Sequence, residues 1–263
     1  MTPTAERVNA VLRELEKKGS RKVRDEMLTR YGITAPRAYG VPVGVIKAMG
    51  KKIGTDHELA LALWDTGWYE ARLLTSFIDD PAKVTAAQMD RWTRDFDNWG
   101  VCDTLCFNLF DRTPHAWRKV EQWAKQDAEF VKRGGFALLA CLALHDKEAG
   151  DALFLKSLRL IEAGASDDRN FVKKGVSWAL RLIGRRNQAL NAAAVTLCER
   201  LVGSTSPAAR WNGKQAHREL TSPLVRRQLA AQVLKQSRKV KQSRNAKRSR
   251  NAPQPRTKAG GRT

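Results

Sequence analysis

Helix-start signals recur along this sequence at short intervals, and between them apolar residues return every three or four positions. Thr55-Asp-His-Glu58 has the form of a capping box. Thr113-Pro114, Ser206-Pro207 and Ser222-Pro223 each set a hydroxyl ahead of a proline. Proline suits the first helical position because its missing N–H would have had no partner there. Gly19, Gly54 and Gly203 stand where helices should stop. Leu59, Leu61, Leu63 and Trp64 share one apolar segment, and Val172, Val176, Ala179 and Ile183 form a cleaner stripe. Alternating β-branched runs are absent. The expectation is an all-α chain of about twelve or thirteen helices without a sheet.

These helices repeat as pairs. Phe130-Val-Lys-Arg-Gly134 returns 41 residues later as Phe171-Val-Lys-Lys-Gly175, and both copies open a long apolar helix. Two earlier helices, beginning near Trp68 and Trp99, have the same role, and a more polar helix precedes each of the four. Helix pairs at ~40-residue spacing are the pattern of HEAT-like or armadillo-type repeats. One pair cannot bury its apolar face alone, so pairs stack into a curved solenoid with a concave groove. Residues 1–234 are expected to form this domain.

Charge divides the chain differently. Lys and Arg number 48 against 27 Asp and Glu, a net +21. Residues 235–263 hold eleven of those cations and no acid, which leaves +10 on residues 1–234. The segment reads as an imperfect hexad: Gln236-Ser-Arg-Lys-Val-Lys241, Gln242-Ser-Arg-Asn-Ala-Lys247, Arg248-Ser-Arg-Asn-Ala-Pro253. Val240 is its only large apolar residue. Such a segment cannot offset its ordering entropy and is expected to be a disordered basic tail that binds nucleic acid without discrimination.

A chain this basic meets a polyanion or an acidic partner. The longest apolar run, Phe136–Leu144, is too short for a membrane span, which needs ~20 residues. Glu6, Arg7, Arg13 and Glu14 stand where a signal peptide would be apolar. The expected location is cytoplasmic and nucleoid-associated, as a monomer. Cys102, Cys106, Cys141 and Cys198 are too few for a disulfide scaffold. No CxxC or HxxxH accompanies them, so buried thiols are expected and no metal. Walker, GxSxG and GxGxxG patterns are missing as well, and no cofactor is expected.

Three places on the polar faces bear chemistry. After Asn170, Lys174, Trp178, Arg181 and Arg185 share one helix face, opposite the Val172 stripe. From Arg169 to Arg186 there are six Lys or Arg, Lys173 included, and no acid. A cationic face with an aromatic suits a sugar–phosphate chain. It also suits a solvated face in which the indole is covered by a neighbouring repeat. In Asp97-Asn-Trp-Gly-Val-Cys-Asp103, Asn98 is placed to cap a helix, and Trp99 and Asp103 share a face. Asp103 is either an acid favouring the positive helix end or a carboxylate beside an aromatic wall, able to stabilise a developing cation. Arg133 is the third, ahead of Gly134-Gly135, which permit close helix packing or close backbone approach.

Trp99-x-x-x-Asp103, Phe-Val-Lys-Arg133 and Trp178-x-x-Arg181, on successive long helices, resemble the DNA alkylation repair enzymes of the AlkD-like, HEAT-like-repeat DNA glycosylase family. Tyr31-Gly-Ile-Thr-Ala-Pro36 is similar to that family's Gly-Ile-x-x-Pro turn, and the resemblance spans about residues 20–220. It implies a basic concave face gripping duplex DNA and excision of cationic N3- or N7-alkylated purines. It matches Asp103 to the catalytic carboxylate, and Trp99 and Trp178 to the aromatic pair against the lesion-bearing deoxyribose. Arg133 and Arg181 match phosphate-binding arginines, with Lys173, Lys174 and Arg185 beside them. Gly100 stands where the family often has another Asp. The family's N-terminal cleft aromatic has no aligned counterpart, although Tyr31 and Tyr39 are near.

Three functions compete at this point: a DNA glycosylase for alkylpurines, a non-catalytic HEAT-like nucleic-acid-binding protein, and a helical scaffold for an acidic protein. Trp178 and Arg181 in register beside a second Trp–Asp pair argue against the scaffold.

Overall fold

Side-chain caps fix where most helices begin. Ser20, Thr85, Asn98, Asn187 and Ser206 each accept a hydrogen bond from the backbone N–H three residues on. Ser222 does the same for Val225, so two of the three expected Ser/Thr–Pro starts are present. Two expected caps differ. Asp56, not Thr55, caps its helix and accepts from the N–H of Leu59 at 3.0 Å. Thr113 donates its hydroxyl to the carbonyl of Phe110 at 2.8 Å, closing a 3-10 turn over Phe110–Arg112. With that hydroxyl used, the following helix begins only at Ala116 and has no side-chain cap.

The computed structural model describes residues 2–235. The helices are α1 (Pro3–Lys17), α2 (Arg21–Tyr31), α3 (Val43–Ile53), α4 (His57–Trp64), α5 (Tyr69–Ile78), α6 (Ala86–Arg94) and α7 (Trp99–Asn108). They continue as α8 (Ala116–Trp123), α9 (Glu129–His145), α10 (Asp151–Gly164), α11 (Asn170–Gly184), α12 (Gln188–Val202) and α13 (Pro207–Leu220). Residues 223–235 are also helical, and no strand occurs among the described residues. The hexads expected to form a basic tail lie outside the described residues; Lys235, counted with that tail, is the last described residue and is helical.

α4 pairs with α5, α8 with α9, α10 with α11 and α12 with α13, while α6 packs on α9. The odd helices then stack in order: α3 on α5, α5 on α7, α7 on α9, α9 on α11 and α11 on α13. This is the expected solenoid of HEAT-like pairs. The two copies of the Phe-Val-Lys repeat are neighbours in it, with the Phe130 and Phe171 rings 5.2 Å apart. One apolar core runs from Leu15 to Leu220 without a break. The Val172, Val176, Ala179 and Ile183 stripe is fully buried in it. No helix among the described residues is long and apolar enough to cross a membrane.

The glycines after Arg133 separate into two kinds. A Cβ on Gly135 would sit 2.5 Å from the backbone nitrogen of Ala124, so this glycine lets α9 lie directly against the end of α8. A Cβ on Gly134 would meet its neighbours at 3.6 Å or more, which is ordinary contact.

Candidate active site

Successive inner helices offer their equivalent positions to one cleft. Asp103, Arg133 and Lys174 are the fifth residues of α7, α9 and α11. Stacking of the repeats therefore lines them up, as repeat geometry requires. Asp103 is one turn inside α7, whose first turn holds no acid. The helix-end explanation for Asp103 fails on that position.

Arg133 faces Asp103 in a bidentate pair. Its Nε donates to Oδ1 at 2.9 Å and its Nη2 to Oδ2 at 2.6 Å. Its remaining Nη1 donates to the Phe171 carbonyl at 2.7 Å. The guanidinium is only 7% exposed, against 20% for the carboxylate. Arg133 was expected to face a phosphate; it lines the cleft with its guanidinium committed to Asp103 and to the Phe171 carbonyl. A planar guanidinium fork matches two carboxylate oxygens, which a point charge such as lysine does not. Burial raises the Asp103 carboxyl above its ordinary value, and Arg133 opposes that rise.

A cleft of about 610 Å³ opens in front of this pair. Trp99, Asp103, Arg133, Lys174, Trp178 and Arg181 all line it, from α7, α9 and α11. Trp178 is half-buried: one side leans on the core, contrary to its expected isolation from the apolar stripe, and the other faces the cleft. Lys173 and Arg185 do not line it. The Lys173 ammonium lies 5.2 Å over the Trp211 ring, and Arg185 turns to the adjoining cavity beside Gln228.

Other elements complete the wall. Tyr31 ends α2, is 47% exposed, and lines the cleft opposite α11. Gly32 ends that helix in the left-handed region at φ 62°, and the N–H of Ile33 returns to the carbonyl of Met27. This turn leaves the Tyr31 carbonyl free to accept from the Trp99 indole at 2.9 Å. Trp211 and Gln215 enter from α13. Tyr39 is elsewhere, stacked on Trp68 at 3.9 Å. The acid missing from α11 also comes from α13. Glu219 accepts from Arg181 at 3.0 Å and from Arg185 at 3.4 Å. Sequence reasoning missed Trp211 and Glu219; Trp211, one turn before Gln215 and two before Glu219 on one helix face, was the available signal.

Gly100 has a steric cause. A Cβ there would stand 2.5 Å from the Tyr69 hydroxyl oxygen and 3.1 Å from Ile33 Cδ1. Elsewhere the bland readings hold. Trp117 and Trp123 are packing residues whose indoles donate to Asp146 and Asp90. All four cysteines are free and buried, and burial pushes the Cys198 thiol up to about 12.

The family model for the DNA alkylation repair enzymes matches residues 11–239. The chain belongs to that family. A solved structure described as belonging to "a new family of proteins related to the HEAT-like repeat DNA glycosylases with affinity for branched DNA structures" shares the fold. The two align with a TM-score of 0.65 at 21% identity, over 73% of this chain and 82% of that one. Among curated proteins none matches the chain.

Proposed function

We propose that this family member is a DNA glycosylase that excises cationic N3- and N7-alkylated purines, of the 3-methyladenine and 7-methylguanine type, from duplex DNA. The observation that carries the reading is one cleft lined together by a carboxylate, Asp103, the indoles of Trp99 and Trp178, and the cations Lys174 and Arg181. An alkylated purine of this kind already bears a positive charge. Its C1′–N bond breaks with the electron pair leaving on the base, which becomes neutral without a general acid. The sugar becomes oxocarbenium-like, and negative charge beside it stabilises the transition state. Asp103 supplies that charge and orients a water. The water adds to C1′ and loses its proton, leaving an abasic site and a free base.

The aromatic walls add cation–π stabilisation to the sugar cation. Tyr31 is the aromatic of the N-terminal side that the sequence left unaligned. Arg133 acts as a positioning residue: its two bonds hold both carboxylate oxygens in one plane. Lys174 and Arg181 hold the backbone around the lesion. The setting is cytoplasmic and nucleoid-associated, and the protein acts as a monomer on DNA.

The decisive experiment measures release of 7-methylguanine and 3-methyladenine from alkylated duplex by wild type and Asp103→Asn. Wild type releases at least one base, and Asp103→Asn loses it by ~10²-fold or more, in line with the removal of one preorganised electrostatic group. Duplex binding and melting temperature are read alongside, because Asn leaves Arg133 without its counter-charge. Equal release by both proteins overturns the reading.

A second reading is favoured by the bidentate Arg133, which neutralises Asp103 in the free protein. In it, the cleft excises nothing and binds branched DNA, the kind of structure for which the neighbour's family is described as having affinity. Absence of release by wild type, with retained binding to a four-way junction, selects it.

A further inference from the structure

The cationic face of α11 is not free in the unbound protein. Arg181 and Arg185, one turn apart, are bridged by the single carboxylate of Glu219. Its two oxygens each meet a different guanidinium, at 3.0 and 3.4 Å. Two oxygens of one phosphate engage an arginine pair in the same manner. Glu219 is 31% exposed in its side chain, stands in the last turn of α13, and reaches the cleft only through Arg181, which lines it. It belongs to the face of α13 that carries Trp211 and Gln215, both of which line the cleft. A backbone phosphate arriving at Arg181 therefore meets an anion already in its place.

We propose that Glu219 is a built-in phosphate competitor that sets the DNA affinity of this cleft and lowers its binding to undamaged duplex. The proposal rests on the reading of Arg181 as a phosphate-binding residue. DNA engages Arg181 only by displacing Glu219 into solvent. An ordinary duplex recovers nothing for that exchange. A lesion-bearing nucleotide seated against Trp99 and Asp103 adds contacts that offset it. Glu219 thereby widens the gap between damaged and undamaged sites without touching the reacting atoms.

The test compares wild type with Glu219→Gln for equilibrium binding to an undamaged duplex across a salt series. Glutamine keeps the size and a hydrogen-bonding oxygen and removes the charge. Loss of a competing ion pair that is about one-third exposed is expected to tighten binding about fivefold. It also steepens the log K against log salt slope by ~0.9, one additional phosphate neutralised. In an Arg181→Gln background the same substitution is expected to change the affinity by less than about twofold, because the competed site is gone. Unchanged or weaker binding by Glu219→Gln overturns the proposal, since a brace between α13 and α11 would loosen rather than tighten the cleft. Glu219→Ala and the melting temperature are read in parallel. If neither variant folds, Glu219 is a structural tie and the proposal fails. A wild type that binds no duplex removes the DNA reading itself; a binding wild type indistinguishable from Glu219→Gln removes only the role of Glu219.

Discussion

At the scale of single residues the site turns on one carboxylate and what surrounds it. The raised Asp103 carboxyl has an activity consequence. On the proposed mechanism only the ionised form stabilises a sugar cation, so activity is expected to be lost as pH falls through the raised value, above the ~3.9 of an ordinary aspartate. The pH profile of kcat/KM, which reports groups of the free enzyme, is expected to show an acid limb above that value. A limb at or below the ordinary value contradicts the assignment. Gly100 gives a second residue-scale prediction. Gly100→Asp introduces a side chain into the space of the Tyr69 hydroxyl. It is expected to lower stability by ~1–3 kcal/mol through overpacking, and Tyr69→Phe in the same chain is expected to return part of that loss in melting temperature. That Trp99 and Asp103 share one helix face, and Trp178 another with Lys174 and Arg181, was legible from their spacings, and all of them line the cleft. The Arg133 pairing was not. Its partner lies 30 residues away, and an arginine beside a groove reads equally as a phosphate ligand until the facing carboxylate is seen.

At the scale of helices the glycines of α9 carry opposite expectations from adjacent positions. Gly135→Ala drives a methyl into the Ala124 backbone, which cannot yield as a side chain end would. It is expected to destabilise by more than ~1 kcal/mol and to shift α9, which bears Arg133, against α8. Gly134→Ala has room and gains helix propensity of up to ~1 kcal/mol. Thermal melts of the two variants should move in opposite directions, and a common direction contradicts the packing. Element starts were legible where a cap acts alone, as at Asn98 and Ser206. They were illegible where the capping group had a competing bond, as at Thr113, whose hydroxyl is consumed by the 3-10 turn. The cleft wall from α13 was illegible for a different reason: Trp211 and Gln215 meet the cleft, and Glu219 its Arg181, only after two further helices have stacked.

At the scale of the whole molecule, the fold was the most legible feature because a repeat writes the same local pattern several times. The net charge of +21 was legible as well, but its distribution misleads when taken as a measure of grip. On α11 and just past its end, Arg181 and Arg185 share Glu219, Lys173 lies on Trp211, and Arg186 donates to the carbonyls of Ala143 and Ala149. Of the cations expected to grip DNA there, Lys174 is the one that is exposed at the cleft. Residues 236–263, by contrast, hold ten Lys or Arg and no acid within their own sequence. Counterion release depends on cations that reach phosphates, whatever the fold around them. Deleting 236–263 is therefore expected to flatten the salt dependence of duplex binding by several units of slope. The proposed excision, in single turnover at saturating protein, is expected to change by less than about threefold, because the cleft residues remain in place. Both are read from one truncated protein. A slope that survives the deletion would assign the polyanion grip to the solenoid, and a loss of excision at saturation would tie the segment to the cleft.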